Sequence, residues 1–346
     1  MTVATIVPPT LEGHTGDLVL GDFRTERGGL ISNARLRYQV LGDPEAGRRH
    51  GWRLVFHALT GSARVQDWWG PVIGPGLPLD PAHGPILSAN LLGSCYGSTS
   101  PAESSDGSFP ALSTADLARA HLPLIKHLGI EHISLVSGGS LGGMVALQWG
   151  LLTPVPVDRL VIFAAPERTS AQAIAWNAAQ RMAIEADPAW AAGRYLPGEG
   201  PAAGLAAARA IAMITYRSVV EFDQRFGRKD TRSPGRFDVD HYLRRHGQKL
   251  VDRFDARSYV SLMGAMDSHD VGPTEAAGRH TAASVGEVIG VGIDTDILYY
   301  PWEVRRWVEA YARSGANARY EEITTPYGHD AFLIEFEQVG RILQGR

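Results

Sequence analysis

The chain carries one cysteine, Cys95, in 346 residues. A lone thiol forms no internal disulfide, so a disulfide-stapled scaffold and a cysteine-rich zinc site are both excluded, and no metal site is expected. A surplus of positive charge is also missing. Lys and Arg number 33 against 37 Asp and Glu, for a formal net charge of −4. Without surplus cations to neutralise phosphates, no nucleic-acid partner is expected. Long apolar runs are missing too. Stretches such as Leu135–Val136 and Leu160–Ala165 fall far short of the ~20 residues that a membrane span needs, so no membrane partner is expected. The opening MTVATIVPPTLEG has neither a basic leader nor a long apolar segment, which reads as no signal peptide and a cytoplasmic location. Low-complexity tracts and repeats of fixed period are lacking as well.

What is present suits a folded protein. Hydrophobic residues make up 44% and charged residues 20%, enough apolar material for a sizeable core and too little charge for disorder. At roughly 150 residues per domain, the length lies between one domain and three. Arg35 to Leu41 alternates, with Leu36, Tyr38 and Val40 on one face, and predicts a half-exposed strand. Arg53–Leu59 and Ile86–Leu92 are short apolar runs of the kind buried on both faces of a parallel sheet. A helix is expected from about Asp116 to Leu128, capped by Ser113 or Thr114 and weakened by Pro123. Strand His132–Ser137, helix Leu141–Leu152 and strand Leu160–Ala164 follow. That strand–helix–strand rhythm marks an α/β fold with a mainly parallel sheet. From Thr169 to about Gly286 only helical patterns occur, around 171–186, 204–220, 238–253 and 258–266. The rhythm then resumes with strand Val285–Ile293, helix Glu303–Arg313, strand Ala318–Ile323 and a closing helix Ala331–Leu343.

The strongest chemical signal is Ser137-Gly138-Gly139-Ser140-Leu141-Gly142-Gly143. It holds G-x-S-x-G between a strand and a helix, the context in which a nucleophilic serine is lifted out on a sharp turn. A serine so placed has the amide of Leu141 beside it, at the helix start, ready to meet a developing oxyanion. The plain alternative is a Gly-rich turn that only packs helix on strand. No Lys-Ser/Thr follows, which excludes a P-loop, and the mid-chain position weakens a dinucleotide fingerprint.

A nucleophilic serine needs a base, and the base needs an orienting carboxylate, in the chain order Ser, acid, His. Of 12 histidines, His329 lies between the last strand and the last helix, where the base belongs. His269 is its main competitor but precedes the returning core strand, and His57 comes too early. Asp294 and Asp296 both follow the strand before, and spacing alone prefers Asp296 only slightly. The second oxyanion donor is expected near Leu59 or Thr60, in the turn after the early strand.

Several segments resemble the homoserine O-acyltransferase family of the α/β-hydrolase superfamily, over nearly the whole chain from about Leu18. They are His57-Ala58-Leu59-Thr60-Gly61, the loop Asn90 to Pro101, the elbow Gly138 to Met144, Ile214 to Ser218, Arg253 to Tyr259, and Tyr327 to Phe332, in the family's order. The departures are Ser98-Thr99-Ser100-Pro101, where the family often has Thr-Thr-Gly-Pro, and Gln148-Trp149, where many members have Glu-Trp. The resemblance implies an α/β-hydrolase fold, a mainly parallel sheet with helices on both faces, with a core at 1–168 and 285–346 and an inserted helical lid at 169–284. It implies transfer of an acetyl group from acetyl-CoA to the hydroxyl of L-homoserine in methionine biosynthesis, by a ping-pong route through an acyl-serine. Ser140 is implied as nucleophile, His329 as base and Asp296 as acid, with Leu59 and Leu141 at the oxyanion positions. Arg209 and Tyr216 match positions that hold the amino-acid carboxylate, and Asp330 the position facing its amine. Acetyl-CoA is then a co-substrate, with no permanently bound cofactor, the partners are small molecules, and a homodimer is implied. Succinyl transfer, a serine acceptor, and an esterase or thioesterase on the same triad stand as alternatives, with a lidded binding module a further one.

Overall fold

The computed structural model describes residues 13–104 and 107–345. Among them eight strands form one sheet. They are β1 (Gly13–Arg24), β2 (Leu30–Leu41), β3 (Trp52–Phe56), β4 (Ile86–Ala89), β5 (Ile133–Gly139), β6 (Val157–Phe163), β7 (Val285–Ile293) and β8 (Ala318–Ile323). Their order across the sheet is β1-β2-β4-β3-β5-β6-β7-β8. β1 and β2 make an antiparallel hairpin, and β2 runs antiparallel to β4. From β4 to β8 every pairing is parallel. The parallel strands are apolar on both faces because both are covered. In β5, Ile133 and Val136 point into one apolar layer and Leu135 into the other; in β3, Leu54 and Phe56 oppose Val55 in the same way.

Parallel strands bring their carboxyl ends to one edge, and the connections leaving that edge form the site. The turn after β3, the elbow after β5 and the loops after β7 and β8 all lie there. Between β6 and β7 run helices Ala171–Glu185, Ala202–Tyr216, Val219–Arg225, Asp238–Val251 and Ala256–Asp267. A further helix, Thr274–Ala282, packs on the core. A Cβ at its Gly278 would lie 3.0 Å from Tyr311 Cα, in helix Pro301–Arg313. Among the described residues no single helix is long and apolar enough to cross a membrane.

Three expected elements are divided differently. The 116–128 helix is two helices, Thr114–Arg119 and Leu122–His127, with Pro123 in the first turn of the second. That is where a missing N–H costs nothing. Ser113 and Asp116 close a capping box on the first. The 204–220 stretch breaks after Tyr216, and Ser218 caps the next helix by accepting from Glu221 N. The closing helix begins later, at Phe336, after a separate 3-10 turn Gly328–Leu333. Trp69 Nε1 donates to Phe332 O at 2.9 Å and pins that turn.

Candidate active site

Ser140 joins β5 to helix Leu141–Leu152 with no intervening loop, at φ 56° and ψ −125°. Side chains avoid this region of the backbone map, and it persists only where the surroundings impose it. Here they do. The end of β3 crosses so closely that a Cβ at Gly142 would lie 2.3 Å from Phe56 O, and one at Gly138 would lie 2.4 Å from Gly142 O. The two flanking glycines of the motif are therefore steric requirements. Ser140 N donates to Phe163 O at 3.0 Å, which ties the elbow to β6. Ser140 is only 6% exposed, so the site is enclosed.

His329 and Asp296 are brought together from 33 residues apart. His329 Nδ1 donates to Asp296 Oδ2 at 2.7 Å, with both side chains buried. Asp296 Oδ1 accepts from Leu298 N at 2.8 Å and Tyr299 N at 3.0 Å, so the carboxylate is held at both oxygens. His329 Nε2 is buried with no hydrogen-bond partner. The ring sits among Tyr216, Tyr299 and Phe332, at centroid distances of 5.7, 5.3 and 5.8 Å. Phe332 packs on Gly139, beside Ser140, where a Cβ would lie 2.4 Å from its ring. Burial alone lowers the pKa of the imidazole, but the Asp296 carboxylate outweighs it and the net shift is upward.

Asp294, the competing carboxylate, has another occupation. It accepts from Thr325 N at 3.0 Å, and Thr295 donates to Thr325 O and accepts from Gly328 N. These bonds stitch the loop after β7 to the loop that carries His329. The competing histidines are neutral links in the fold. His269 Nε2 donates to Pro166 O at 3.0 Å, and its Nδ1 accepts from Thr114 Oγ1 at 2.8 Å. His57 is wholly buried beside the turn after β3. Burial brings both imidazoles down to about 4.

Leu59 lies in the tight turn closed by Gly61 N donating to Ala58 O at 2.8 Å. Leu141 opens its helix, so its amide has no acceptor within that helix. A cleft of about 610 Å³ opens beside the turn, walled by Thr60, Ser62, Trp68, Tyr96 and Arg253. Arg253, between two of the covering helices, donates to Thr60 O at 2.7 Å and to Tyr96 Oη at 2.6 Å.

Arg209 and Tyr216 lie two turns apart on helix Ala202–Tyr216, with the Arg209 guanidinium 5.2 Å from the Tyr216 ring. Among the described residues Arg209 forms no ion pair, and burial raises the Tyr216 phenol. The Asp330 carboxylate meets Arg217 at 3.3 Å, and Arg217 also reaches Glu221 at 3.3 Å. Arg217 carries no sequence signal of its own beyond its place next to Tyr216. Gln148, a departure from the family pattern, donates to Asp270 O at 2.9 Å and so anchors the backbone that leads back to the core.

A family model described as the α/β hydrolase fold matches residues 54–267. The chain is 40% identical to the homoserine O-acetyltransferase of Moorella thermoacetica, over 92% of this chain and 91% of the relative. The crystal structure of homoserine O-acetyltransferase from Staphylococcus aureus has a TM-score of 0.78 and 31% identity, covering 96% of this chain and 95% of that one. Esterase E22 has a TM-score of 0.85 over 96% and 99% of the two chains, at 19% identity, a likeness of fold alone.

Proposed function

Because the chain belongs to the homoserine O-acetyltransferase family of the α/β-hydrolase fold, we propose that it moves an acetyl group from acetyl-CoA to the hydroxyl of L-homoserine through an acyl-Ser140 intermediate. The observation that carries this reading is the buried Asp296–His329 pair with its unpartnered Nε2, in a chain whose elbow holds Ser140 in a strained backbone conformation.

In the first half-reaction Ser140 Oγ attacks the thioester carbonyl and passes its proton to His329 Nε2. Asp296 stabilises the imidazolium that forms. The amides of Leu59 and Leu141 hold the oxyanion. Collapse of the tetrahedral intermediate breaks the C–S bond, and His329 returns the proton to the departing thiolate. In the second half-reaction the homoserine hydroxyl gives its proton to Nε2 and attacks the acyl carbon, and Ser140 Oγ leaves with that proton. The acyl donor approaches along the cleft beside Thr60. Arg209, which has no carboxylate partner among the described residues, receives the amino-acid carboxylate with help from the Tyr216 hydroxyl. Asp330 faces the ammonium, sharing its charge with Arg217. The covering helices exclude water, so the acyl-serine outlasts CoA departure. The homodimer and the cytoplasmic location rest on the family alone.

The test is a grid of thiol release from acetyl-CoA and succinyl-CoA, each with homoserine and with serine. The reading expects acetyl-CoA with homoserine to dominate. Equally fast thiol release without any acceptor identifies a thioesterase instead, and dominance of succinyl-CoA or of serine reassigns donor or acceptor.

A further inference from the structure

We propose that His57 is a positioning residue of the oxyanion hole, one that aims the Leu59 amide by holding the carbonyl of Ala58. The proposal rests on the acyl-Ser140 reading above. His57 Nε2 accepts from Leu91 N at 3.0 Å. An amide N–H can only donate, so Nε2 is bare and the ring proton sits on Nδ1. Nδ1 then donates to Ala58 O at 2.8 Å. Gly61 N donates to the same oxygen, also at 2.8 Å. Both lone pairs of that carbonyl are occupied, so it cannot turn.

The Ala58–Leu59 peptide is trans, as is every described peptide in the chain, and a peptide unit is close to planar. In such a peptide the N–H points opposite to the C=O. Fixing Ala58 O therefore fixes the direction of Leu59 N–H. The reference frame is the sheet itself, because the far side of the imidazole is bonded to Leu91, two residues beyond the end of β4. The ring is fully buried and its pKa is brought down to about 4, so it stays neutral with this donor and acceptor pattern.

The rest of the motif falls into place. Gly61 closes the turn, and a Cβ there would sit 2.8 Å from His57 Cβ. A Cβ at Gly142, two residues past the nucleophile, would sit 2.9 Å from His57 O, so the strand end that carries the imidazole packs directly on the elbow.

Two substitutions separate this role from bulk packing. Asparagine places an N–H near the position of Nδ1 and keeps the donor to Ala58 O. Glutamine reaches the position of Nε2 and keeps the acceptor for Leu91 N, but has nothing where Nδ1 stands. His57→Gln is expected to lose about 100-fold in the rate of Ser140 acylation by acetyl-CoA, the effect of removing one oxyanion donor. KM for homoserine should stay within about threefold, because both half-reactions use the same oxyanion hole and slow together. His57→Asn is expected to keep most of the acylation rate even where both variants melt earlier than wild type. Equal losses in the two variants, or a wild-type rate in His57→Gln, overturn the proposal. Independently of either variant, 15N shifts of the wild-type protein should show Nδ1 protonated and Nε2 bare; the opposite tautomer also overturns it. A wild-type enzyme that takes no acetyl group on Ser140 ends the functional reading, whereas equal losses in the two variants end only this one.

Discussion

Replacing Asp296 by asparagine removes one charge and leaves the shape almost unchanged, yet the surroundings dictate a large effect. Oδ1 accepts from the amides of Leu298 and Tyr299, so in the variant the carboxamide oxygen has to take that place. The NH2 group is then forced toward His329 Nδ1, 2.7 Å from where Oδ2 stands now. Two donors cannot face each other, so the imidazole moves its proton to Nε2 and can no longer accept the serine proton. Loss of the correct tautomer in a triad of this kind lowers kcat by about 10⁴, or about 5.5 kcal/mol in the barrier. Stability should change little, because the two amide bonds survive. The assay is thiol release from acetyl-CoA with homoserine, with urea unfolding as the control for folding. Activity above about a tenth of wild type in Asp296→Asn would refute the argument. Asp294→Ala is the internal comparison: it removes the acceptor for Thr325 N and should cost stability far more than it costs kcat.

Further outcomes follow from the same geometry. His329 is raised above its ordinary value, so the acid limb of kcat/KM should lie above pH 6.5, with activity falling as pH drops through it; a limb well below that value contradicts the Asp296 pairing. The upward shift also means that the pair contributes stability in full below pH 6.5 and loses it as pH rises through the folded pKa. His57, His121 and His269 shift the other way, to about 4, so each contributes stability that is complete above pH 6.5 and fades as pH falls toward 4, at up to about 1.4 kcal/mol per pH unit. Urea midpoints that stay flat between pH 6.5 and 4.5 would count against those three neutral histidines. Ser140→Gly should be inactive but more stable by about 1 kcal/mol, because glycine relieves the φ 56° backbone, whereas Ser140→Ala should be inactive with unchanged stability. Arg253→Gln unties a covering loop from the turn after β3 and should speed amide exchange at both Thr60–Ala63 and Asp255–Ser258 while leaving β5 and β6 unchanged; exchange confined to one side contradicts the tie.

The elbow was legible because its meaning is local. Strand, turn and helix lie within a dozen residues, and the glycines report a steric demand that the crossing of β3 explains. The helical insertion and the returning strands were legible from periodicity for the same reason. What periodicity could not give was any bond between distant segments. The break before Pro123 shows in the sequence, but the later start of the last helix depends on Trp69 reaching Phe332 from across the chain. Asp294 and Asp296 look alike in sequence and differ only in what lies opposite: Thr325 N for one, His329 for the other. The roles of Arg217 and His57 carry no local signal, because each acts through partners far along the chain, Asp330 for the first and Leu91 for the second. The bounds of the hairpin strand β1 are hard to read in the sequence, because half of its residues face solvent at the sheet edge.

The central claim is that Ser140 carries the acyl group between donor and acceptor. It is tested most directly by incubating the protein with acetyl-CoA alone, quenching, and mapping the peptide that spans the elbow by mass spectrometry, then repeating after a brief chase with homoserine. The expected result is an acetyl group on Ser140 that is stable in buffer and lost at once to homoserine. An acetyl group on another residue such as Cys95, or full turnover with Ser140 never acetylated, would contradict it.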